Sequence, residues 1–356
     1  MNDSIARTLQ KIKPLDREAM EAARIRQDEL TKPRGSLGRL EELSIQVAGI
    51  KGQMISGFEH KAIVTMAADH GVVHEGVTLY PQEVTAQMVS NFLNGGAGIN
   101  VLARFIGARV AVVDMGVASN LPPHPNLICR KVAYGTKNMA QRAAMTHSEA
   151  MRSIEAGIEI IEAEVAKELD IVGTGDMGIG NTTASSAICA AITGEPVEKV
   201  TGRGEGLDDR QRMHKAGIIR KSLELNQPDP QDPIDILAKV GGFEIGGLAG
   251  VMLGAAAHHI PVVIDGFISG AAALIATGLS NELKNYLIAA HVSAESGHRV
   301  LLEYLGLTPL LNLDMRLGEG TGAALGMAIV EAAVKTLAEM ATFSEASVSQ
   351  IEERHK

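Results

Sequence analysis

Short apolar runs rich in β-branched residues recur along the chain, and the clearest ones end in a polar residue followed by a glycine turn. Four are clear and two are weaker, at residues 62–68, 110–113, 171–174, 261–264, 286–290 and 127–133. Because the runs are apolar on both faces, they are typical of strands covered by helices on both sides. Helical stretches separate them, at residues 83–105, 148–167, 183–192, 208–225 and 246–257. The alternation predicts an α/β fold, a parallel Rossmann-like sheet with helices on both faces.

The two ends of the chain differ from this pattern. Residues 1–55 and 323–356 are mostly helical, and we expect them to form a small helical unit beside an α/β domain over residues 56–322 that carries the candidate catalytic residues. The N-terminal segment has no apolar signal core, and His258, Pro261 and Asp265 interrupt the longest apolar stretch before the ~20 residues that a membrane span needs. We therefore expect a cytoplasmic protein without a membrane span.

Composition narrows the class of protein further. Of 356 residues 46% are hydrophobic, and 33 Lys and Arg against 42 Asp and Glu give a net charge of −9. The apolar content excludes a disordered chain, and the acidity argues against a nucleic-acid partner, which usually requires a basic face. Cys129 and Cys189 stand apart without a CxxC pair, so we expect reduced thiols rather than a disulfide scaffold.

The sharpest candidate for chemistry is the glycine loop at residues 173–183, GTGDMGIGNTT, which lies between a predicted strand and an Ala-rich helix. Ligands of parallel α/β sheets bind beyond the carboxyl ends of the strands, and a helix start offers N–H groups to an anion. Asn181, Thr182 or Thr183 would cap the helix. The pattern favours an anion site, although a glycine turn with a good cap and no ligand would give the same sequence.

The same loop also satisfies the dinucleotide fingerprint G-x-G-x-x-G through Gly173, Gly175 and Gly178. That fingerprint requires an acidic residue about 20 positions on, at the end of the next strand. Glu195 has the spacing but follows a helical sequence, and the helix begins too late. The NAD-binding interpretation is therefore a minor one.

Two further glycine loops carry charged residues. TGRGEG at 201–206 precedes a helix with Arg210, Arg212 and Lys215, which suit a phosphate but also suit a solvated helix face. RLGEGTG at 316–322 places Glu319 between two glycines, just before a helix. A carboxylate on such an accessible backbone could be a general base, or it could answer the dipole of that helix, and the sequence leaves both readings open.

Histidines and acids near the strand ends raise a metal alternative through Asp69, His70 and His74. No HExxH or Cys/His spacing is present, so distant residues would have to meet. For Asp69, Asp114 and Asp265, hydrogen bonding to loops is the favoured interpretation, and we expect no metal. A Gly-x-Ser-x-Gly elbow is also absent from the sequence, which weakens a serine-hydrolase reading.

Six segments in one order resemble a known family. They are KPRGSLGRLE at 32–41, ADHGV at 68–72, YPQEVT at 80–85, GIGNTT at 178–183, SAE at 293–295 and RLGEGTG at 316–322. Together they resemble the nicotinate-nucleotide–dimethylbenzimidazole phosphoribosyltransferases, and the match covers nearly the whole chain. The resemblance implies transfer of the phosphoribosyl group of nicotinate mononucleotide to 5,6-dimethylbenzimidazole, which gives α-ribazole 5′-phosphate and nicotinate. It also implies inversion at C1′, no cofactor and a homodimer.

The resemblance carries residue roles as well. It implies that Glu319 is the general base that removes the benzimidazole N–H proton. It assigns the nucleotide to Asp176, Gly178, Asn181, Thr182, Gly204, Lys215, Ser293, Arg316 and Gly318. It assigns the base to Tyr80, Pro81, Gln87, Met88 and Leu317. Aromatic and thioether side chains suit a flat ring, although in a helix they are more often plain core.

Two positions depart clearly from the family pattern, and Asp314 and Ser296 depart mildly. Asp176 stands where Glu is common, which shortens the reach of the carboxylate by one methylene, and Glu205 stands where a small hydroxyl residue is more usual, which adds negative charge near the expected phosphate. Three rival functions follow from the residues alone. They are an NAD-dependent oxidoreductase, a metal-dependent hydrolase and a nucleotide-binding module without catalysis.

Overall fold

The computed structural model describes residues 3–204 and 206–349, so Glu205 lies outside the described residues. The chain forms two compact units. The first contains Met1–Lys13 and His60–Met327, and the second contains Pro14–Glu59 and Ala328–Lys356. The boundaries of these units differ from those of the domains expected from the sequence, and that domain division stays a prediction.

A six-stranded sheet forms the centre of the first unit. Its strands are β1 (Lys61–Ala68), β2 (Ala108–Gly116), β3 (Leu127–Cys129), β4 (Ile171–Met177), β5 (Val262–Ile264) and β6 (Leu287–Ala289). All neighbours pair in parallel, in the order β3-β2-β1-β4-β5-β6. Every residue of β1 is buried, as the two-sided apolar pattern requires. The predicted parallel α/β fold is confirmed. Strands β1 to β3 follow one another toward one edge of the sheet, and β4 to β6 follow one another toward the other edge, starting beside β1.

The helices fill the connections between strands. They are α1 (Asp3–Lys11), α2 (Arg17–Glu29), α3 (Arg39–Lys51), α4 (Glu83–Leu93), α5 (Gly98–Ile106), α6 (His147–Val165), α7 (Asn181–Thr193), α8 (Val197–Val200), α9 (Asp209–Asn226), α10 (Pro233–Val240), α11 (Phe243–Ala257), α12 (Phe267–Leu279), α13 (Ser296–Leu305) and α14 (Thr321–Glu339). Two 3₁₀ turns occupy Gly71–Glu75 and Asn281–Tyr286.

The single helix predicted over residues 83–105 is wrong, because the structure breaks it into α4 and α5. Gly95 adopts a φ of +75° at the break, a conformation that glycine takes without strain. Asn100 fixes the junction: its side chain accepts the Ala97 N–H at 3.0 Å and donates to the Phe92 carbonyl at 3.0 Å. This break gives α5 a separate N-terminus.

Small residues allow the helices to pack closely, which explains the abundance of Gly and Ala. A side chain at Gly157 of α6 would overlap the Gly247 carbonyl oxygen of α11. A side chain at Gly247 would overlap the sulfur of Met66 on β1. The backbones of α6, α11 and β1 therefore form successive layers, and volume changes there are poorly tolerated. Both cysteines are free, and burial raises the pKa of Cys189 to about 12.

The second unit is helical within its described residues. Ala23 of α2, Ala48 of α3 and Leu337 of α14 form its buried apolar cluster. Arg26 caps the end of α14, since its guanidinium donates to the Leu337 carbonyl at 2.8 Å and to the Ala338 carbonyl at 3.1 Å. This geometry satisfies carbonyls that a helix end leaves unpaired.

One described helix, α14, has the length and apolar composition to cross a membrane, with a mean hydropathy of 1.3 in its most apolar window. However, 56% of that window is buried inside the protein. Core helices pass the same test, so this helix is weak evidence for a membrane span.

Candidate active site

Buried carboxylates lie at the carboxyl ends of the strands, and three of them hold loops in place. Asp69 Oδ2 accepts the Ala118 N–H at 2.7 Å. Asp114 Oδ1 accepts the N–H groups of Gly116 at 3.0 Å and Val117 at 2.9 Å. Asp265 accepts two N–H groups from the segment that contains Glu319 and the start of α14. The predicted anchoring role of Asp69, Asp114 and Asp265 is confirmed.

The glycine loop after β4 leads directly into α7, as the sequence predicts, but the predicted capping is wrong. The N-cap is Gly180, with a φ of +92°, and no side chain caps the helix. The Asn181 side chain instead donates to Asp176 Oδ2 at 2.9 Å, while Asp176 Oδ1 is buried without a hydrogen-bond partner among the described residues. No side chain therefore covers the start of α7, although the N–H groups of Asn181 and Thr183 donate to the carbonyls of Gly178 and Gly180 at 3.0 Å each.

The fingerprint glycines serve packing. A side chain at Gly175 would overlap the Glu319 carbonyl oxygen, and one at Gly178 would overlap the Ala68 carbonyl oxygen. Glu195 lies after α7, where it forms a 2.8 Å ion pair with Lys199, rather than at the end of a strand. These contacts account for the G-x-G-x-x-G pattern without a dinucleotide.

One cavity brings together most of the residues predicted to bind a nucleotide. Eight of the nine line it: Asp176, Gly178, Asn181, Thr182, Gly204, Ser293, Arg316 and Gly318. The ninth, Lys215, is buried on α9, and its Nζ donates to Thr182 Oγ1 at 2.7 Å. Five separate chain segments supply the lining, so the cavity exists only in the folded protein.

An adjoining cavity has three arginines and two glutamates in its lining. The arginines are Arg203, Arg212 and Arg316, the glutamates are Glu198 and Glu295, and Arg316, Gly204 and Glu295 belong to both cavities. Arg212 donates to the carbonyls of Glu198 at 3.2 Å and Thr201 at 3.4 Å, which fixes its guanidinium beside the loop. Arg210, in contrast, is exposed and does not line either cavity as described. Of the three cations predicted on this helix, two are therefore placed near the loop.

Glu319 is buried at the edge of this region and is held at three points. Its backbone N–H donates to the Asp176 carbonyl at 3.2 Å, and its carbonyl accepts the Thr65 hydroxyl at 2.9 Å. Its carboxylate Oε2 accepts the Ile99 N–H at 3.0 Å. The carboxylate thus faces the N-terminus of α5 and not that of the following helix α14, whose dipole was one of the two readings that the sequence left open.

Burial raises the pKa of several carboxyl groups around the cavity. It raises the pKa of Glu319, although the N–H groups of Ile99 and Gly98 act in the opposite direction. Burial also raises the pKa of Asp265 to about 7, against hydrogen bonds from Ala323, Gly320 and Gly322. The pKa of Asp176 lies well above its usual range because of burial and the nearby charges of Asp265 and Glu244. Such clustered shifts are typical of functional sites.

The residues predicted to bind the base do not all line the same cavity. Tyr80 and Pro81 lie in the loop before α4, and Gln87 and Met88 lie in its second turn. None of these four lines the nucleotide cavity as described, whereas Leu317 does. The Thr85 hydroxyl of α4 accepts the Ile179 N–H at 3.1 Å, which fastens α4 to the glycine loop.

His70 forms a buried pair with Glu244 at the start of α11, with 2.6 Å between His70 Nε2 and Glu244 Oε1. Burial alone lowers the pKa of His70, but the charge and hydrogen bond of Glu244, with Asp69, raise it above its usual value. Within residues 3–204 and 206–349, no three His, Cys, Asp or Glu side chains converge as metal ligands. Glu244 is not among the residues predicted from the sequence. A charged residue in the first turn of an otherwise apolar helix could have indicated it.

A parallel sheet with glycine loops, a buried lysine and arginines around one cavity defines a nucleotide-binding α/β protein of the Rossmann-like class. Comparison with known proteins narrows the class. Residues 12–348 match the family described as Phosphoribosyltransferase, and the chain belongs to this family.

Its relatives are similar over almost their whole length. The nicotinate-nucleotide–dimethylbenzimidazole phosphoribosyltransferase of Desulforudis audaxviator is 62% identical, over 98% of this chain and 99% of the relative. The Roseiflexus protein of the same name is 60% identical, over 97% of this chain and 98% of the relative. A crystal structure of the enzyme of that name from Thermus thermophilus has a TM-score of 0.90 at 45% identity and covers 95% of this chain and 100% of that chain. These comparisons give no support to an oxidoreductase or a hydrolase.

Proposed function

We propose that this protein transfers the phosphoribosyl group of nicotinate mononucleotide to 5,6-dimethylbenzimidazole or a related base. The observation that carries the proposal is one cavity lined by eight of the residues predicted to bind the nucleotide, with the buried Glu319 held next to it by a backbone hydrogen bond to Asp176. The names of the closely similar relatives support the same reaction. In this proposal the products are nicotinate and α-ribazole 5′-phosphate.

The proposed roles follow from charge. The phosphate is held by the start of α7, by Lys215 and by Arg316, because N–H groups and cations stabilise an anion. The C1′–N bond to the pyridinium breaks as a benzimidazole nitrogen forms the new bond from the opposite face, which inverts C1′. Nicotinate leaves with the bonding electron pair on its ring nitrogen, so its departure requires no acid, metal or cofactor.

Glu319 takes the proton that the benzimidazole loses from its other nitrogen. The Ile99 N–H orients the carboxylate, and burial raises its pKa, which makes it a stronger base than an exposed glutamate. We place the flat base beside Leu317 and the start of α4, where Tyr80, Pro81, Gln87 and Met88 lie.

Assembly and location belong to the same proposal. We propose a cytoplasmic homodimer, on the basis of the family resemblance and the reduced cysteines. Light scattering of the purified protein measures its mass directly. A mass of one chain, 37.5 kDa, would exclude the dimer.

The direct test is incubation with nicotinate mononucleotide and a panel of benzimidazoles and purines, followed by mass spectrometry of the products. We expect nicotinate and an α-ribotide only when a base is present. Binding of the mononucleotide without release of nicotinate would instead indicate a nucleotide-binding module. A change in NADH fluorescence on mixing would favour the oxidoreductase. Loss of activity on addition of a chelator would favour the metal-dependent hydrolase.

A further inference from the structure

His291 is a buried histidine of the nucleotide cavity that the proposed reaction has not used. It follows β6, where it bridges to Leu311, and it is 3% exposed. It nevertheless lines the cavity together with Gly266 and Ser293. A methyl group placed on Gly266 would lie 3.6 Å from His291 Cε1 and 3.8 Å from Nε2. The Nε2 edge of the ring therefore faces the space that the missing side chain of Gly266 leaves open.

The ring is neutral, and its surroundings favour one tautomer. Burial lowers the pKa of His291 below its usual value, so the ring is uncharged at neutral pH. Nδ1 is buried and has no hydrogen-bond partner among the described residues, and Asp265 Oδ1 lies 3.9 Å away. Asp265 in its ionised form, which prevails above its pKa of about 7, favours the proton on the nitrogen that faces it, and this leaves Nε2 as an acceptor.

A second histidine fixes the wall on which His291 lies. The rings of His291 and His298 have centroids 6.0 Å apart, edge to face. The Ser293 N–H donates to His298 Nδ1 at 2.7 Å, and burial lowers the pKa of His298 to about 3. His298 is thus committed to the backbone of Ser293, whereas Nε2 of His291 faces the cavity.

The chemistry of the mononucleotide selects the partner of such an acceptor. Its phosphate and carboxylate groups only accept hydrogen bonds at neutral pH, and its pyridinium nitrogen carries no proton. Its donors are the two ribose hydroxyl groups. The N–H of the incoming base belongs to Glu319, whose carboxylate faces α5 on the β2 side of the sheet, away from β6.

We infer that His291 Nε2 accepts a hydrogen bond from a ribose hydroxyl group of the nucleotide and so selects ribose over deoxyribose. The inference rests on the proposed function, because it takes nicotinate mononucleotide as the donor substrate.

The test compares two substitutions that place an amide at different ring positions. His291→Gln carries an amide oxygen near the position of Nε2, and His291→Asn carries one near Nδ1. We expect His291→Asn to raise the KM for the mononucleotide roughly tenfold with the KM for the base unchanged, and His291→Gln to restore affinity to within about threefold of wild type. Equal losses in both variants would contradict the inference.

The 2′-deoxy and 3′-deoxy mononucleotides provide the second arm. We expect one of them to lose roughly tenfold in kcat/KM with the wild-type enzyme, and His291→Asn to cause no further loss with that analogue. Wild-type enzyme that processes both analogues as well as the parent compound overturns the inference, even if the variants do not fold. Wild-type enzyme that fails to release nicotinate from the parent compound contradicts the proposed function instead.

Discussion

Glu319 shows how one residue is fixed in a strained conformation at the site. Its φ of +64° is uncommon for a residue with a side chain and costs energy unless the surroundings hold it. Hydrogen bonds to Thr65, Asp176 and Ile99 supply that support. The arrangement directs a buried carboxylate toward the N-terminus of α5.

Glu319→Gln separates the catalytic role of this residue from its structural one. A glutamine oxygen can still accept the Ile99 N–H, but an amide cannot take a proton from the base. We expect transfer to fall by roughly 10²- to 10⁴-fold while affinity for the mononucleotide is unchanged. Single-turnover kinetics and calorimetry measure the two quantities, and unchanged turnover would refute the role of general base.

Lys215→Met tests the phosphate contact, since it keeps the apolar stem and removes the charge. We expect affinity for the mononucleotide to fall roughly 10- to 100-fold, with little change in KM for the base, because charge-assisted hydrogen bonds are strong. Lys221→Met, on the exposed face of the same helix, is the matched control and should bind normally. Equal affinities in both variants would remove Lys215 from the phosphate site.

At the scale of elements, β4 is adapted to carry a loop against its own backbone. Its glycines leave room for neighbouring groups: Gly173 faces Ile63, and Gly175 faces the carbonyl of Glu319. Gly320 repeats the pattern from the other side, since a side chain there would lie 3.2 Å from the Thr174 carbonyl oxygen. The Glu319 segment can therefore lie directly on the strand, within hydrogen-bonding distance of Asp176.

Gly175→Ala should push that segment away from β4. We expect a loss of about 1–3 kcal/mol in the free energy of unfolding and a larger relative loss of turnover, because the overlap is with backbone. Gly217→Ala within α9 is the control: its new methyl group meets nothing within 4 Å, and it should gain about 0.5–1 kcal/mol. Urea unfolding and steady-state assays check both, and similar behaviour of the two variants would contradict the packing argument.

At the scale of the whole molecule, the site concentrates buried acids in a chain that is already acidic. Asp176, Asp265, Glu244 and Glu319 all lie within its buried interior. Burial raises the pKa of Asp176, Asp265 and Glu319, so the folded protein retains protons that the unfolded chain would release. Proton uptake and folding are therefore coupled through this region.

Asp265→Asn tests this coupling. The pKa of Asp265 rises from 3.8 to about 7 on folding, so its contribution to stability is complete below pH 3.8 and is lost as the pH rises through about 7. The variant lacks this titration, so its stability relative to wild type should increase as the pH rises from 3.8 to about 7. At low pH it can still be the less stable protein, because its hydrogen bonds to Gly320 and Ala323 are weaker. Unfolding midpoints measured across this pH range check the trend, and a constant difference would contradict it.

The pattern along the chain is enough to predict the class of fold and the loops of the site, because two-sided apolar runs alternating with helices require a covered parallel sheet. The predicted ends of β1 and β5 agree with the structure, whereas β2 and β4 each continue three residues further, through polar and glycine residues that the sequence assigned to turns. The break at Gly95 was overlooked, because apolar periodicity continues across it and the Asn100 contacts that fix it depend on geometry.

How distant residues meet depends on the folded chain. Glu319 and Ile99 are 220 positions apart, and His70 and Glu244 are 174 apart, so no local pattern reports either contact. The same holds for His291, which lies beside Asp265 and Gly266 only after folding. Side-chain chemistry is encoded residue by residue, but burial, tautomer and pKa depend on neighbours that the folded chain alone supplies.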